Sequence, residues 1–174
     1  DVCSSDLGYE RALEKYQEAC YWSCCSQEES KEKNFIMTTS WGNVADWFDD
    51  LLKEDDTYQS KVILPNLMRI VSPAKGETIL DLACGQGFFS RAFAAEGAKV
   101  VGADISKELI EKALKGTFKP GEDQAEFFVT PSDDLSMVKT GTVDKVVIVL
   151  ALQNIAKMKE TLEECRRVLK TSGK

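Results

Sequence analysis

Two acidic residues and two glycines have the types and the spacing that a ligand-binding turn needs. Asp81 lies inside a short apolar run at 78–82, and Gly85 and Gly87 follow that run directly. Glycines here let the backbone turn tightly, and the missing side chains let a ligand approach the main chain. Asp104 ends a second apolar run, where a carboxylate can accept from two ribose hydroxyls. The combination predicts a cradle for a nucleotide-type cofactor, whereas the two glycines alone would predict only a tight turn between a strand and a helix.

Apolar periodicity assigns these residues to alternating strands and helices. Short apolar runs predict strands at 78–82, 98–104, 125–130 and 142–150. Helical spacing predicts three buried helix faces: Phe89, Ala92 and Phe93; Leu109, Ile110, Ala113 and Leu114; and Ile155, Met158, Leu162, Cys165, Val168 and Leu169. Ser106 is placed to cap the second of these helices. The alternation predicts an α/β fold with a Rossmann-like, doubly wound parallel sheet in three αβα layers.

Residues 81–87, Asp-Leu-Ala-Cys-Gly-Gln-Gly, resemble the first motif of class I S-adenosylmethionine (SAM) dependent methyltransferases. That motif reads acidic-x-Gly-x-Gly-x-Gly, with Ala or Ser often at the third place, which Ala83 fills. The resemblance covers about residues 39–174 and points to the small-molecule group that includes ubiquinone and menaquinone C-methyltransferases. It implies that SAM is the cofactor, that a small-molecule acceptor receives the methyl group, and that the first strand is central in the sheet with the fourth beside it. It also implies that Asp81 organises the amino-acid end of SAM, that Gly85 and Gly87 admit it, and that Asp104 holds the ribose.

The resemblance implies further contacts with the adenosine part of the cofactor. Cys84 lies within the motif, and Ile105 follows the ribose-binding acid. Residues 131–135 align with the adenine-binding turn of the family, but Pro131 stands in the usual Asp place. The main chain of Ser132 or the carboxylate of Asp133 could replace that contact, and an Asp-rich cap before a helix is the alternative interpretation of the same residues.

The resemblance also implies that two other segments contact the cofactor. Leu150 and Ala151 lie at the end of the fourth predicted strand, which in the family passes beside the methionine part of SAM. Tyr58 is the candidate lid contact. No catalytic residue is assigned, because methyl transfer by direct displacement depends mostly on aligning the two reactants.

Two alternatives to a methyltransferase remain open at this point. An NAD(P)-dependent Rossmann oxidoreductase would carry a third glycine at position 90, where this chain has Ser90, and would not carry an acid at position 81. The other alternative is an inactive, truncated fragment that binds cofactor without turnover.

Composition narrows the range of partners. A formal charge of −7 without a basic cluster disfavours nucleic acid. No run is long and apolar enough for a membrane span, and we expect a cytoplasmic protein. Cys20, Cys24 and Cys25 lie close together, but the chain has no histidine and no second cysteine pair at zinc spacing, so we expect no metal site. The oligomeric state is not predicted.

The domain organisation is predicted in three parts. Residues 1–36 are interpreted as an extension that is disordered or derived from upstream DNA, because residues 1–7 back-translate to a sequence resembling a sequencing adapter and Met37 is a plausible start. Residues 37–72 are expected to form N-terminal lid helices. Residues 73–174 are expected to form the cofactor-binding half of a truncated methyltransferase domain, whose fourth strand would have an unpaired outer edge.

Overall fold

A computed structural model describes residues 57–116 and 125–174 of the chain. The elements, in chain order, are a π-helical turn at Gln59–Ile63 that continues into α1 at Leu64–Val71, β1 at Thr78–Leu82, α2 at Phe88–Ala95, β2 at Lys99–Asp104, α3 at Lys107–Lys115, β3 at Glu126–Val129, β4 at Lys145–Val147, a 3-10 turn at Leu152–Asn154 and α4 at Met158–Val168. The predictions for residues 1–56 lie outside the described residues. None of the helices in the described ranges is long and apolar enough to cross a membrane.

The four strands form one parallel sheet in the order β3-β2-β1-β4. β1 is flanked on both sides, with Asp81 opposite Gly102 of β2 and opposite Val147 of β4. The carboxyl ends of β1, β2 and β4 therefore meet at one edge, where open α/β sheets bind their ligands. This order confirms the predicted Rossmann-like sheet with β1 in the centre and β4 beside it.

Alternation along β1 builds the layers on the two faces of the sheet. Ile79 enters a core cluster with Phe93 of α2, against which Leu67 of α1 also packs. Leu80 enters the opposite cluster, with Val168 of α4. The helices thus lie on both faces of the sheet, as the three-layer prediction requires.

The fourth strand is shorter than the predicted 142–150. Val143 forms an isolated bridge with Leu169, and β4 itself pairs with β1 only from Lys145 to Val147. Val147 lies opposite Asp81, one residue before the end of β1 at Leu82, so the chain beyond 148 has passed the end of its neighbour and has no strand to pair with on that side. The apolar residues after β4 favour a strand, but they do not form one because β1 is too short to pair with them.

Two predicted core residues are exposed. The side chain of Leu114 is 64% exposed and that of Leu162 is 53% exposed. At 3.6 residues per turn, each lies about 90° around its helix from the centre of the buried stripe. Thr161, which is fully buried, occupies the inner face of α4 instead of Leu162.

The outer edge of β4 has a partner in part, which differs from the predicted unpaired edge. The Val146 amide donates to the carbonyl of Lys174 at 2.9 Å, and the Lys174 amide donates to the carbonyl of Asp144 at 3.0 Å. This alternation is the hydrogen-bond pattern of a parallel pair. The last residue of the chain thus lies beside β4 in strand register.

Candidate cofactor site at the carboxyl edge of the sheet

The turn after β1 has the left-handed backbone that its sequence predicts. Ala83, Gly85 and Gly87 have φ values of 60°, 56° and 77°. The Gly87 amide closes the turn by donating to the carbonyl of Cys84 at 3.0 Å. Ala83 adopts this conformation at a cost that glycine would not bear, of about 1–2 kcal/mol. We call residues 81–87 together with residues 104–106 the glycine-turn region.

The two glycines serve different purposes. A Cβ atom at Gly87 would lie 2.7 Å from the ring of Phe127, and one at Gly102 would lie 2.5 Å from the same ring. Gly87 and Gly102 therefore make room for Phe127 of β3. At Gly85 a Cβ would make only an ordinary van der Waals contact, with Leu109 Cδ1 at 4.0 Å. Of the two glycines in the motif, Gly85 is therefore the one whose missing side chain is not explained by a clash inside the domain.

Asp104 joins the end of β2 to the glycine turn. Its Oδ2 accepts from the Gly85 amide at 2.9 Å, and its Oδ1 accepts from the Ser106 amide at 2.8 Å. Burial raises the pKa of the Asp104 carboxyl above its ordinary value, and these two hydrogen bonds offset part of the rise. Each carboxylate oxygen can accept a second hydrogen bond, so ribose hydroxyls remain possible partners. Ser106 caps α3 as predicted, with its Oγ accepting from the Leu109 amide, and Ile105 lies between these two residues.

Asp81 faces α2 because it shares the Ile79 side of β1. Its carboxylate accepts from the hydroxyl of Ser90 in α2, and only 2% of Asp81 is exposed. Burial, together with the nearby charge of Asp104, raises the pKa of Asp81 to about 6, against the lowering effect of the Ser90 hydrogen bond. Asp81 is thus a group held inside the domain rather than at its surface.

Cys84 is a buried thiol at the same edge. Burial, followed by the negative charges of Asp81 and Asp104, raises its pKa well above the ordinary value. A thiol held in its neutral form is a poor nucleophile. Cys84 therefore contributes packing to the turn rather than covalent chemistry.

The side chains of the predicted adenine turn are already engaged. The Ser132 hydroxyl is hydrogen-bonded to that of Thr161 at 2.8 Å, and Lys157 donates to Asp133 at 2.7 Å. Glu164 accepts from the Leu135 amide at 2.8 Å. Contacts from α4 and from Lys157 just before it thus engage the side chains of Ser132 and Asp133, and of the two options for adenine the main chain of Ser132 is the less committed.

The segment after β4 differs from the other turns, and we call residues 148–155 the β4 exit. Leu150 has a left-handed φ of 55° and is 54% exposed, and its carbonyl accepts from Gln153 Nε2 at 2.8 Å. Leu152 is 46% exposed. Ala151 lies between the two leucines and is partly buried. The β4 exit therefore presents apolar surface at the same edge as the glycine turn.

Tyr58 lies at the start of the N-terminal helical segment and is 55% exposed. The helix that follows packs through Leu67, Met68 and Val71 on the core beneath it. The role of Tyr58 as a lid contact stays a prediction, as does the lid role of residues 37–72.

Three residues at this edge were not predicted as part of the site. Ser90 holds Asp81, Phe127 fills the space above Gly87, and Gln86 is a turn residue that is only 3% exposed. A signal existed for Ser90, because a polar residue one helical turn inside an apolar helix needs a buried partner. Phe127 gave no local signal, since its contacts come from residues far away in the sequence.

The predicted residues from β1, β2, β3 and β4 thus all lie at the carboxyl edge of the sheet. An open parallel sheet with a left-handed glycine turn and an acid at the end of the second strand defines a class of nucleotide-cofactor-binding domains. A glycine at 85 that no clash inside the domain requires, with a carboxylate hydrogen-bonded to its amide, fits a cofactor with a ribose.

Comparison with known proteins assigns the family within that class. The family model of a methyltransferase domain matches residues 80–174, which is more than half of the chain. The chain therefore belongs to the methyltransferase domain family, and its motif and fold are those of the class I SAM-dependent methyltransferases.

Relatives and solved structures agree with this assignment. A demethylmenaquinone methyltransferase of Clavibacter sepedonicus is 34% identical over 140 residues, which cover 76% of this chain and 56% of the relative. A ubiquinone biosynthesis O-methyltransferase of Xanthomonas oryzae is 32% identical, covering 57% of this chain and 41% of the relative. A SAM-dependent methyltransferase structure from Methanococcus maripaludis has a similar fold, with a TM-score of 0.66 at 20% identity over 83% of this chain and 64% of that one. The chain spans about half the length of the curated relatives that it matches.

Proposed function

We propose that this protein binds SAM at the glycine-turn region and transfers its methyl group to a small-molecule acceptor. The observation that supports this most strongly is the pair of buried carboxylates, Asp81 and Asp104, on either side of the turn. Among the described residues, neither is hydrogen-bonded to a basic side chain. A site with unneutralised negative charge favours a cationic ligand such as SAM and disfavours the pyrophosphate of a nicotinamide cofactor.

SAM, when bound, supplies a methyl group on a positively charged sulfur. The residues of the chain hold the cofactor and orient it. Asp104 accepts hydroxyl hydrogens while it fixes the amide of Gly85, and the missing side chain of Gly85 lets the ligand lie against the main chain. Asp81 adds negative charge from beneath the turn, held by Ser90. Fixing both reactants removes much of the entropic barrier to methyl transfer, and exclusion of water protects the reacting centre.

The proposed acceptor is an apolar small molecule of the quinone-precursor class. Leu150 and Leu152 present apolar surface at the β4 exit, on the opposite side of β1 from Asp104. The relatives from Clavibacter sepedonicus and Xanthomonas oryzae are named for menaquinone and ubiquinone biosynthesis, respectively. The atom that is methylated is left open, since the second of these names specifies an oxygen and the first does not. We also propose a cytoplasmic location.

Calorimetric titration of the whole chain tests the cofactor assignment. We expect S-adenosylhomocysteine, the demethylated product, to bind with micromolar affinity and NADH not to bind. Binding of NADH alone would contradict the proposal and favour an oxidoreductase. Transfer of labelled methyl from SAM to a reduced quinone precursor then tests turnover. If the chain binds the cofactor but transfers no methyl group to any quinone precursor tested, the proposed acceptor class is contradicted. The result would then favour a fragment that binds the cofactor without methylating quinone precursors.

A further inference from the structure

Helix α4 contacts the loop that follows β3, and we call residues 131–138 the β3 exit loop. Thr161 Oγ1 lies 2.8 Å from the hydroxyl oxygen of Ser132, and Glu164 Oε2 accepts from the Leu135 amide at 2.8 Å. Thr161 and Glu164 are three residues apart, so they are neighbours on one side of the helix. This side of α4 therefore holds the loop at two separate points.

Arg167 adds a third point of contact, three residues further along α4. Its Nε donates to Glu164 Oε1 at 2.6 Å and its Nη2 donates to Oε2 at 2.8 Å, which makes a bidentate ion pair. The same guanidinium donates from Nη2 to the Leu135 carbonyl at 2.9 Å and from Nη1 to the Val138 carbonyl at 3.0 Å. Because Glu164 also accepts from the Leu135 amide, the pair engages both polar backbone groups of Leu135. A lysine ammonium, which is a single point of charge, could not make all these contacts at once.

Recognition of a base by the β3 exit loop is left to the main chain at Ser132. The side chains of Ser132 and Asp133 are engaged, and the Pro131 side chain has no donor or acceptor. The Pro131 carbonyl accepts from the Asp134 amide at 3.1 Å. Within the described ranges, the amide and the carbonyl of Ser132 have no hydrogen-bond partner. They offer one donor and one acceptor to a ligand.

The Watson–Crick edge of adenine offers the complementary groups, because N1 accepts a hydrogen bond and the 6-amino group donates one. A backbone amide or carbonyl cannot rotate on its own as a side chain can, so its aim depends on whatever holds the loop. We propose that Thr161, Glu164 and Arg167 are positioning residues for the recognition of adenine. They hold Ser132 and Leu135 in place without touching the cofactor. The proposal rests on SAM being the cofactor.

Calorimetric titrations of the whole chain with two ligands test this role. In S-inosylhomocysteine an oxygen replaces the 6-amino group of S-adenosylhomocysteine and N1 carries a hydrogen, so the donor and the acceptor of this edge are exchanged. We expect the unchanged chain to bind S-adenosylhomocysteine about tenfold more tightly than S-inosylhomocysteine, as expected for one mismatched hydrogen bond. This ratio of affinities measures recognition of the base, whereas a change in stability alone would leave it unaltered.

Two conservative variants should lower the ratio to about threefold or less, since the hydrogen bond to the base weakens when its aim is lost. Arg167→Lys keeps the charge beside Glu164 but loses the fork that holds the two loop carbonyls. Thr161→Val keeps the shape of a fully buried side chain but loses the contact with Ser132. If one variant fails to fold in urea unfolding, the other still decides the question.

Lys145→Met is the matched control. It breaks an ion pair with Glu77 that is about as buried as that of Arg167, but at the amino end of the sheet. It should lower the free energy of unfolding and leave the ratio of affinities as in the unchanged chain.

The outcomes of these titrations separate this proposal from the proposed function. A full ratio in Arg167→Lys and Thr161→Val, or an equal fall in Lys145→Met, would overturn the positioning role while leaving SAM as the cofactor. Equal binding of the two ligands by the unchanged chain would overturn it as well. If the unchanged chain binds neither ligand, the proposed function itself fails and this proposal falls with it.

Discussion

The glycine-turn region and the β4 exit lie at the same edge of one sheet, yet they are built in opposite ways. In the glycine-turn region, Asp104 accepts from two backbone amides and Asp81 from a helix hydroxyl, so the side chains are fixed by the domain itself. In the β4 exit, Leu150 is left-handed and half exposed, and Asn154 has a buried acceptor without a partner among the described residues. The two acids of the glycine-turn region are thus preorganised, although Nε2 of Gln86 there also has no partner among the described residues, whereas the β4 exit combines an unpartnered acceptor with exposed apolar surface.

We infer from this difference that the cofactor and the methyl acceptor of the proposed reaction bind at different parts of this edge. A preorganised site loses little entropy when it binds, which suits a cofactor that is the same in every turnover. Exposed apolar surface and unmet polar atoms suit a part of the site that is completed by the acceptor and by the far end of the cofactor. We therefore expect substitutions in the glycine-turn region to affect cofactor affinity and folding strongly, and substitutions in the β4 exit to affect them weakly.

The largest effect is expected at Asp104. Asp104→Ala removes the proposed acceptor of two ribose hydroxyls and leaves the amides of Gly85 and Ser106 without their partner. Affinity for S-adenosylhomocysteine should fall about 100-fold or more, since each lost hydrogen bond to a charged group is worth about 1.5–3 kcal/mol. Calorimetry gives the affinity. Asp133→Ala is the control at the same edge, and its partner Lys157 is exposed, so its effect should be slight; equal effects of the two variants would contradict the comparison.

Asp81 should make the apo protein less stable as pH rises. Its pKa is about 6 in the folded protein against an ordinary value of 3.8, so between pH 4 and pH 6 the folded state holds a proton that the unfolded state has released. The free energy of unfolding should therefore decrease through this window, by about 3 kcal/mol in all. Asp81→Asn should flatten the decrease and stabilise the protein at pH 7, as urea unfolding at several pH values would measure. If the free energy of unfolding changed equally with pH in the unchanged chain and in Asp81→Asn, the raised pKa of Asp81 would be ruled out as the cause.

Gly87 and Gly85 provide a test inside the glycine-turn region. Gly87→Ala places a Cβ 2.7 Å from Phe127 at a left-handed φ of 77°, and we expect a loss of about 3 kcal/mol of unfolding free energy from strain and overpacking. Gly85→Ala meets no atom closer than 4.0 Å, so it should cost about 1–2 kcal/mol from the backbone alone.

For the affinity for S-adenosylhomocysteine we expect the opposite ranking, in which Gly85→Ala loses more than Gly87→Ala. Gly85→Ala places a methyl group where the ligand is proposed to approach the main chain, so it should weaken S-adenosylhomocysteine more than its stability cost suggests. Gly87→Ala combined with Phe127→Leu should recover part of the stability, because the smaller side chain relieves the overlap. Equal stability losses in the two single variants would show that Phe127 does not distinguish them.

The smallest effect is expected where non-glycine residues are left-handed. Leu150→Gly and Ala83→Gly each remove the steric cost of a positive φ, at 55° and 60°, and should raise the free energy of unfolding by about 1 kcal/mol. Leu150→Gly should leave the affinity for S-adenosylhomocysteine nearly unchanged but lower the rate of methyl transfer, because apolar surface for the acceptor is lost. A large loss of cofactor affinity in Leu150→Gly would place the cofactor, rather than the acceptor, against this leucine.

The sequence predicted those features that depend on local pattern. The bounds of β1, the start of α2 after Gly87 and the cap at Ser106 follow from apolar runs and turn residues, and all three were found as predicted. Features set by distant partners were predicted less well. β4 is short because β1 ends, and Leu162 is exposed because the buried stripe of α4 runs through Thr161.

In the candidate site, too, local features were predicted from the sequence and contacts between distant residues were not. The acids and glycines of the motif could be found from their spacing, but not the partners that engage them. Nothing in the local pattern around Asp133 indicates that Lys157, 24 residues later, pairs with it. Likewise, no local signal places the ring of Phe127 over Gly87 and Gly102. Such contacts arise only when the sheet brings separate turns to one edge.

Amide chemical shifts of the ¹⁵N-labelled chain during titration with S-adenosylhomocysteine would test the cofactor site most directly. The amides of Gly85 and Ser106 both donate to Asp104, so we expect their shifts to move together and saturate at one affinity. Gly141 lies before β4, at the opposite end of the sheet, and its amide should not move. Shifts centred on Gly141, or saturating shifts that leave Gly85 and Ser106 unmoved, would contradict a cofactor site at the glycine-turn region.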